Sequence, residues 1–275
     1  MTSDELIKKL AEKAKDGTEF YLPGLTVPIP EFLVNLGVTK FVVLQFGIAA
    51  LIVAIFVPMA IKIRGGQPVK GRFWNMMEVF LLYLRDNVIV PAIGCKKMAA
   101  PYVPYLWTLF FFVLFCNLAG LIPGLGTPTA AISITATLAL LTLAIVIGTG
   151  VYRHGPVGFW TGQVPHVEGK VGPITLSTVF GPILFVLEIF SFFIKHVALC
   201  IRLMANMYGG ALILGVLVAF IPMAAWSLYV WVPVTFSSFL GAVAVNFLKL
   251  LVSVIHAYIF TFFTSIYIGM AINQH

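Results

Sequence analysis

The chain has 275 residues, 60% of them hydrophobic and only 10% charged, with a mean hydropathy of +1.03. Soluble domains carry about 25% charged residues, and one soluble core of this length could not bury so much apolar surface; an ordinary soluble enzyme is excluded and the natural solvent is a lipid bilayer. The net charge of +7 does not indicate nucleic acid, because the Lys and Arg residues flank apolar runs instead of interleaving with aromatics; in that position they set membrane topology.

Residues 1–20 read as a short amphipathic helix, with Leu6, Leu10 and Ala14 opposite Lys8, Lys9, Glu12 and Lys13. The charged residues 3–16 lack the apolar core of a signal peptide. Residues 1–37 are expected outside the bilayer. The first spanning run is 41–63, closed by Lys62 and Arg64, long enough to cross a ~30 Å hydrocarbon layer.

Residues 73–90 change character. Phe73, Met77, Phe80, Leu81, Leu84 and Val88 recur at helical spacing opposite Asn75, Glu78, Arg85 and Asp86, a pattern that predicts an interfacial helix. A plain connecting helix fits the same pattern. Two runs follow, 103–122 and 130–151, joined by the uncharged link Pro123-Gly-Leu-Gly-Thr-Pro128; they predict a tight membrane hairpin. Residues 153–173 read as a polar Gly/Pro-rich loop. The last runs, 174–222 and 229–272, exceed what one crossing needs. They are expected to tilt, bend or project beyond the hydrocarbon, with Pro182, Pro222 and Pro233 as candidate bends or boundaries.

The predicted fold is therefore an all-α integral membrane protein. It has about five transmembrane helices, an interfacial helix and a long tilted C-terminal helical hairpin, all in one membrane domain spanning 1–275. Residues 62–100 hold seven Lys or Arg against Glu78 and Asp86, which places the N-terminus outside and the C-terminus in the cytoplasm. Cys95, Cys116 and Cys200 are far apart, and neither a disulfide nor a metal site is expected. No cofactor, nucleotide-binding loop or nucleic-acid partner is expected.

Six ionisable residues sit at membrane depth near the C-terminus: Glu188, Lys195, His196, Arg202, Lys249 and His256. A charge at the bilayer centre costs about 2.5–3.5 kcal/mol on insertion scales, so such residues default to functional hypotheses. Glu188, Lys195 and Arg202 stand seven apart, a step that drifts only ~20° around a helix. Asn206 and Gly209 continue that stripe, while Asn246, Lys249, Ser253 and His256 form a second one. Two such stripes facing each other would line a hydrated path. The competing reading is of snorkelling or mutually satisfied groups in a bundle.

Arg202 carries the sharpest argument. A guanidinium keeps its proton, so it cannot relay one. It can hold a carboxylate ionised, by about 4 kcal/mol at ~4 Å and an effective dielectric near 20, and it repels a passing hydronium. Ala205, Gly209, Gly210 and Ala211 would let another helix approach. The stripes lack an acid placed to neutralise Arg202, so the missing carboxylate belongs on another chain.

The run Ile201-Arg-Leu-Met-Ala-Asn-Met-Tyr-Gly-Gly210 resembles the signature of subunit a of F-type ATP synthases. Leu187-Glu188 with Lys195 is similar to the segment leading into that arginine, and His256-Ala-Tyr-Ile-Phe260 to a later family segment. Asn117-Leu-Ala-Gly-Leu-Ile-Pro123, Thr127-Pro-Thr-Ala130 and Arg85-Asp86-Asn87 are also family-like. The resemblance covers about residues 70–275, the arginine segment being its specific part.

It implies a proton-translocating stator, non-catalytic by itself, in a bacterial cytoplasmic (inner) membrane. Its partners would be a c-subunit ring, b-type peripheral stalk subunits and the rest of the synthase. Arg202 would face the ring carboxylates, with Glu188, Lys195, Asn206, Lys249, His256 and Asn117 as half-channel candidates. Three positions depart from the family pattern. Ala211 stands where an acid or histidine is usual, Lys249 where a histidine, acid or glycine is, and His256 where a glutamine is. Sodium instead of protons, a stand-alone cation/proton transporter and a non-conducting scaffold are the alternatives.

Overall fold

A computed structural model describes residues 19–22, 25–28, 39–64, 71–122, 126–162, 170–171, 174–223 and 228–273. Residues 1–18 of the expected amphipathic helix lie outside these. Its last two residues are extended: β1 (Glu19–Leu22) pairs antiparallel with β2 (Leu25–Pro28). The aromatic and β-branched residues of Glu19–Leu22 and Leu25–Pro28 favour extended backbone, which overrides the helical expectation for Glu19 and Phe20.

The fold class is otherwise the expected one, an all-α membrane protein. Helices α1 (Lys40–Arg64) and α2 (Arg72–Tyr83) come first. α1 ends on Lys62 and Arg64, and Lys62 lies 5.9 Å from the centroid of the Trp74 ring. The predicted 73–90 helix is not uniform. After Tyr83 the backbone takes a π-helical path from Leu84 to Ile89, then α-helical turns as α3 (Val90–Ile93). The wider turn keeps Leu84, Val88 and Ile89 buried while Arg85 and Asp86 point outward and pair at 3.0 Å. The hydrogen bond from Arg85, more than its charge, holds the Asp86 carboxyl below the usual carboxylate range. A short α4 (Lys96–Ala99) follows.

Helix α5 (Val103–Ala119) is shorter than the predicted 103–122 run, because turns at Gly120, Leu121 and Ile122 close it. A side chain at Gly120 would overlap Thr127, so the chain can turn back tightly only with glycine there. Helix α6 (Ile132–Thr161) runs past the predicted end at 151. Arg153 and His154 remain helical, and the path breaks at Gly155, with φ 77° and ψ 166°. Pro156, its φ already helical, starts a last short stretch. Phe159 from that stretch is fully buried and fills the space left by Gly150. The expected loop over 153–173 is therefore helix to residue 161, with a two-residue pairing of β3 (Lys170–Val171) and β4 (Ile174–Thr175) near its end.

Helices α7 (Leu176–Met223) and α8 (Leu228–Ile272) have 48 and 45 residues. At 1.5 Å per residue α7 is about 72 Å long, more than twice a ~30 Å hydrocarbon layer. Both run on through the prolines near their starts, Pro182 and Pro233. Among the described residues, α1, α6, α7 and α8 are long and apolar enough to cross a membrane, and α5 is a shorter apolar helix. Large apolar side chains such as Phe46, Ile183, Val186, Phe190 and Phe247 are exposed, as a lipid-facing surface requires.

The chain divides into two compact units. The first holds Met1–Met76, Thr108–Thr135 and Leu203–Ile259; the second holds Met77–Trp107, Ala136–Arg202 and Phe260–His275. In the first, Phe56 packs on Phe111 with ring centroids 4.7 Å apart. In the second, the Trp107 indole N–H donates to the Leu81 carbonyl at 3.1 Å. There the Asn273 side chain donates to the Ile93 carbonyl at 2.8 Å, and a Cβ at Gly269 would overlap the Ala92 carbonyl oxygen. The end of α8 thus lies directly against α3.

Candidate functional site

In the second unit, α7 presents Glu188, Ser191, Lys195 and Arg202 along one side. A helix with this spacing brings seven-apart side chains into register, and Lys195 Nζ lies 3.5 Å from Glu188 Oε1. Both side chains remain about one-third exposed, at 34% and 31%. Glu188 is the single acid in the sequence of α7 and α8, and it is engaged by Lys195. Arg202, one heptad on, is exposed. Among the described residues no ion pair involves it, and its guanidinium carbon lies 5.6 Å from the centroid of the Phe263 ring.

On the α8 side, Arg202 lies over the ring of Phe263. One step further, His196 is buried between rings, 4.9 Å from both Phe192 and Tyr267. The α8 stripe ends at His256 because the residues one and two turns on, Phe260 and Phe263, are aromatic.

In the first unit, α7 contributes Asn206, Gly209, Gly210 and Ala211, and α8 contributes Asn246, Lys249, Ser253 and His256. Lys249 is buried, 7% exposed. Its Cγ, Cδ and Cε lie 3.2–3.3 Å from the point a Gly210 Cβ would occupy, so glycine on α7 makes the room that the lysine stem fills. Ser253 donates to the Lys249 carbonyl at 2.7 Å, and His256 Nδ1 lies 3.1 Å from the Val252 carbonyl. Asn206 is half-buried.

Asn117 is not joined to these groups. It is buried on α5, and its carbonyl oxygen accepts a 2.6 Å hydrogen bond from Thr129 Oγ1. Its amide nitrogen has no hydrogen-bond partner among the described residues. Of the sequence candidates, then, Glu188 joins Lys195, Lys249 and His256 share one helix face, and Asn117 stands in a separate buried polar pair.

Sequence reasoning missed Gly210 as the seat of Lys249, and Phe263 as the neighbour of Arg202. A signal existed for Phe263. It stands seven after His256 and fourteen after Lys249, so it continues the same face after the polar residues stop.

The sequence profile of the ATP synthase A chain family matches residues 42–269. The chain belongs to the ATP synthase A chain family. It is 30% identical over 251 residues to ATP synthase subunit a of Myxococcus xanthus, covering 91% of this chain and 77% of that one. With ATP synthase subunit a of Chloroherpeton thalassium it shares 32% identity over 264 residues, 94% of this chain and 74% of the relative. With that of Erythrobacter litoralis it shares 35% over 240 residues, 83% and 84% of the two chains. Membership in the ATP synthase A chain family makes it an integral membrane component of an ATP synthase, concerned with ATP synthesis and ion transport. It is a member of a complex, which sets the stand-alone transporter aside.

Proposed function

We propose that this chain is the ion-conducting stator of a rotary F-type synthase, with protons as the coupling ion. The observation that carries the reading is the state of Arg202: exposed, in a membrane helix, and without an ion pair among the described residues while the one nearby acid is held by Lys195. An exposed guanidinium at this depth requires an external anion or water to offset its burial in a membrane. A carboxylate on each subunit of a c-type ring supplies that anion, and Arg202 keeps it ionised as it passes. A proton cannot cross at the arginine itself. It must enter from one side onto a ring carboxylate, travel with the ring and leave on the other side.

Glu188 and Lys195 are the groups for one approach, with Asn206, Lys249 and His256 for another and Asn117 as a buried polar outpost. Lys249 and His256 take the place of the usual partner groups, since Ala211 offers none. The first helix and the interfacial segment are the surfaces for b-type stalk subunits. The N-terminus lies outside and the C-terminus in the cytoplasm of a bacterial inner membrane.

The test is Arg202→Ala in the whole synthase, reconstituted in proteoliposomes with proton and sodium gradients varied separately. ATP-driven pumping and gradient-driven synthesis should be lost, while the soluble catalytic part still hydrolyses ATP. Retained coupled pumping would sink the reading, and pumping that follows sodium would replace the proton.

A further inference from the structure

Arg202 is a long side chain with about 2 kcal/mol of rotamer entropy, and a stator arginine works only if it is held where the ring carboxylate passes. A carboxylate in the same chain would hold it but would also quench its charge and compete with the ring. The second unit uses something else. The guanidinium carbon lies 5.6 Å from the Phe263 ring centroid. Phe263 stacks nearly parallel on Tyr267, with centroids 6.1 Å apart and planes 16° from parallel. Tyr267 in turn lies 4.9 Å from the His196 ring, and His196 lies 4.9 Å from Phe192. Phe192 meets Phe159 and Trp160 edge-on, each at 6.3 Å.

The result is a column of rings from Arg202 to the short stretch after Gly155. His196, 3% exposed, is fixed within it by the 2.9 Å contact between Nδ1 and the Phe192 carbonyl. A ring face attracts a cation through its quadrupole, without a counter-charge and without titrating.

We propose that Phe263, backed by Tyr267 and His196, is a positioning residue that holds the Arg202 guanidinium between successive ring carboxylates while leaving its full charge for each arrival. This rests on the stator role of Arg202 proposed above. An aromatic support is strong enough to restrict the side chain and weak enough to yield to a carboxylate. It should therefore govern how fast coupled transport runs, not whether coupling exists.

The experiment places phenylalanine, mono-, di- and trifluoro-phenylalanine, tyrosine, tryptophan and leucine at position 263 in the whole synthase. Arg202→Ala serves as the reference variant. Fluorination weakens the ring quadrupole with little change of shape, so packing alone predicts equal rates. We expect ATP-driven pumping per assembled complex to fall stepwise with fluorine number, and by about fivefold in Phe263→Leu. Phe263→Tyr and Phe263→Trp should retain it. Equal rates across the fluorine series overturn the proposal, even if Phe263→Leu fails to assemble. Loss of pumping in Arg202→Ala together with a flat fluorine series removes only the positioning role, whereas full pumping in Arg202→Ala removes the stator reading beneath it.

Discussion

Gly210 and Lys249 are a complementary pair: the three stem carbons Cγ, Cδ and Cε of the lysine occupy the space that any side chain at 210 would fill. A buried lysine stem is held by its aliphatic contacts while the ammonium seeks polar surroundings. The glycine therefore decides where that ammonium can sit. Gly210→Val should displace it, destabilise the packing by roughly 1–3 kcal/mol and lower ATP-driven pumping. Adding Lys249→Ala, which empties the space, should restore assembly but not the pumping that Lys249 supports. Pumping in proteoliposomes and the amount of assembled complex are the readouts, and a purely additive double variant would dissolve the pair.

The Glu188–Lys195 pair is one-third exposed on both sides, where ion pairs contribute only about 0.2–1 kcal/mol to stability. Glu188→Gln should thus leave the thermal midpoint of the complex within a few degrees of the parent. Proton flux is a different matter, because the variant removes a group that can bind and release a proton. It should fall several-fold. If Glu188→Gln and Lys195→Met leave flux unchanged, neither group lies on the path.

His256 offers an imidazole on the same face as Lys249, a group able to take up and release a proton. His256→Ala should slow pumping and alter the pH–rate profile. His256→Gln should keep hydrogen bonding but not proton exchange. Superimposable profiles for all three proteins would take His256 off the pathway.

Asn117 and Thr129 test a buried polar pair. Asn117→Leu leaves the Thr129 hydroxyl without its 2.6 Å acceptor, and an orphaned buried group costs about 1–3 kcal/mol. Removing both groups, as in Asn117→Leu with Thr129→Val, should recover much of that loss. Retention of the subunit after detergent extraction reports the stability. Lost proton flux in the recovered double variant would mark Asn117 as functional as well as structural.

Gly269→Ala sets a Cβ against the Ala92 carbonyl oxygen, a backbone atom that cannot swing aside. A destabilisation of about 1–3 kcal/mol is expected, seen as less assembled complex at the growth temperature, with near-normal pumping per complex that does assemble. Unchanged assembly would mean that α3 and α8 can separate without consequence.

Apolar run length and flanking charge made the membrane class and the helical runs legible. So did the alignment of Glu188 with Lys195, because a seven-residue step fixes a shared side whatever the tertiary context. The π-helical path after Tyr83 was not legible, since one wider turn barely disturbs a 3.6-residue pattern. The break at Gly155 was hidden for a related reason: a Gly-Pro pair reads as a loop until Phe159 is known to fold back and fill the space at Gly150. Phe263 was passed over because an aromatic residue on an apolar helix looks like lipid-facing bulk. Its place seven residues after His256 was a signal, but the cation that gives it meaning comes from another helix.

The exposed apolar side chains described for α1, α7 and α8 have a practical corollary. Whatever amphiphile coats them acts as a ligand of the folded state, so a melting temperature measured for this protein is a joint property of the chain and its coat. Comparisons between variants carry meaning only at a fixed lipid or detergent composition and concentration. A change of coat can shift the curve as far as a core substitution does.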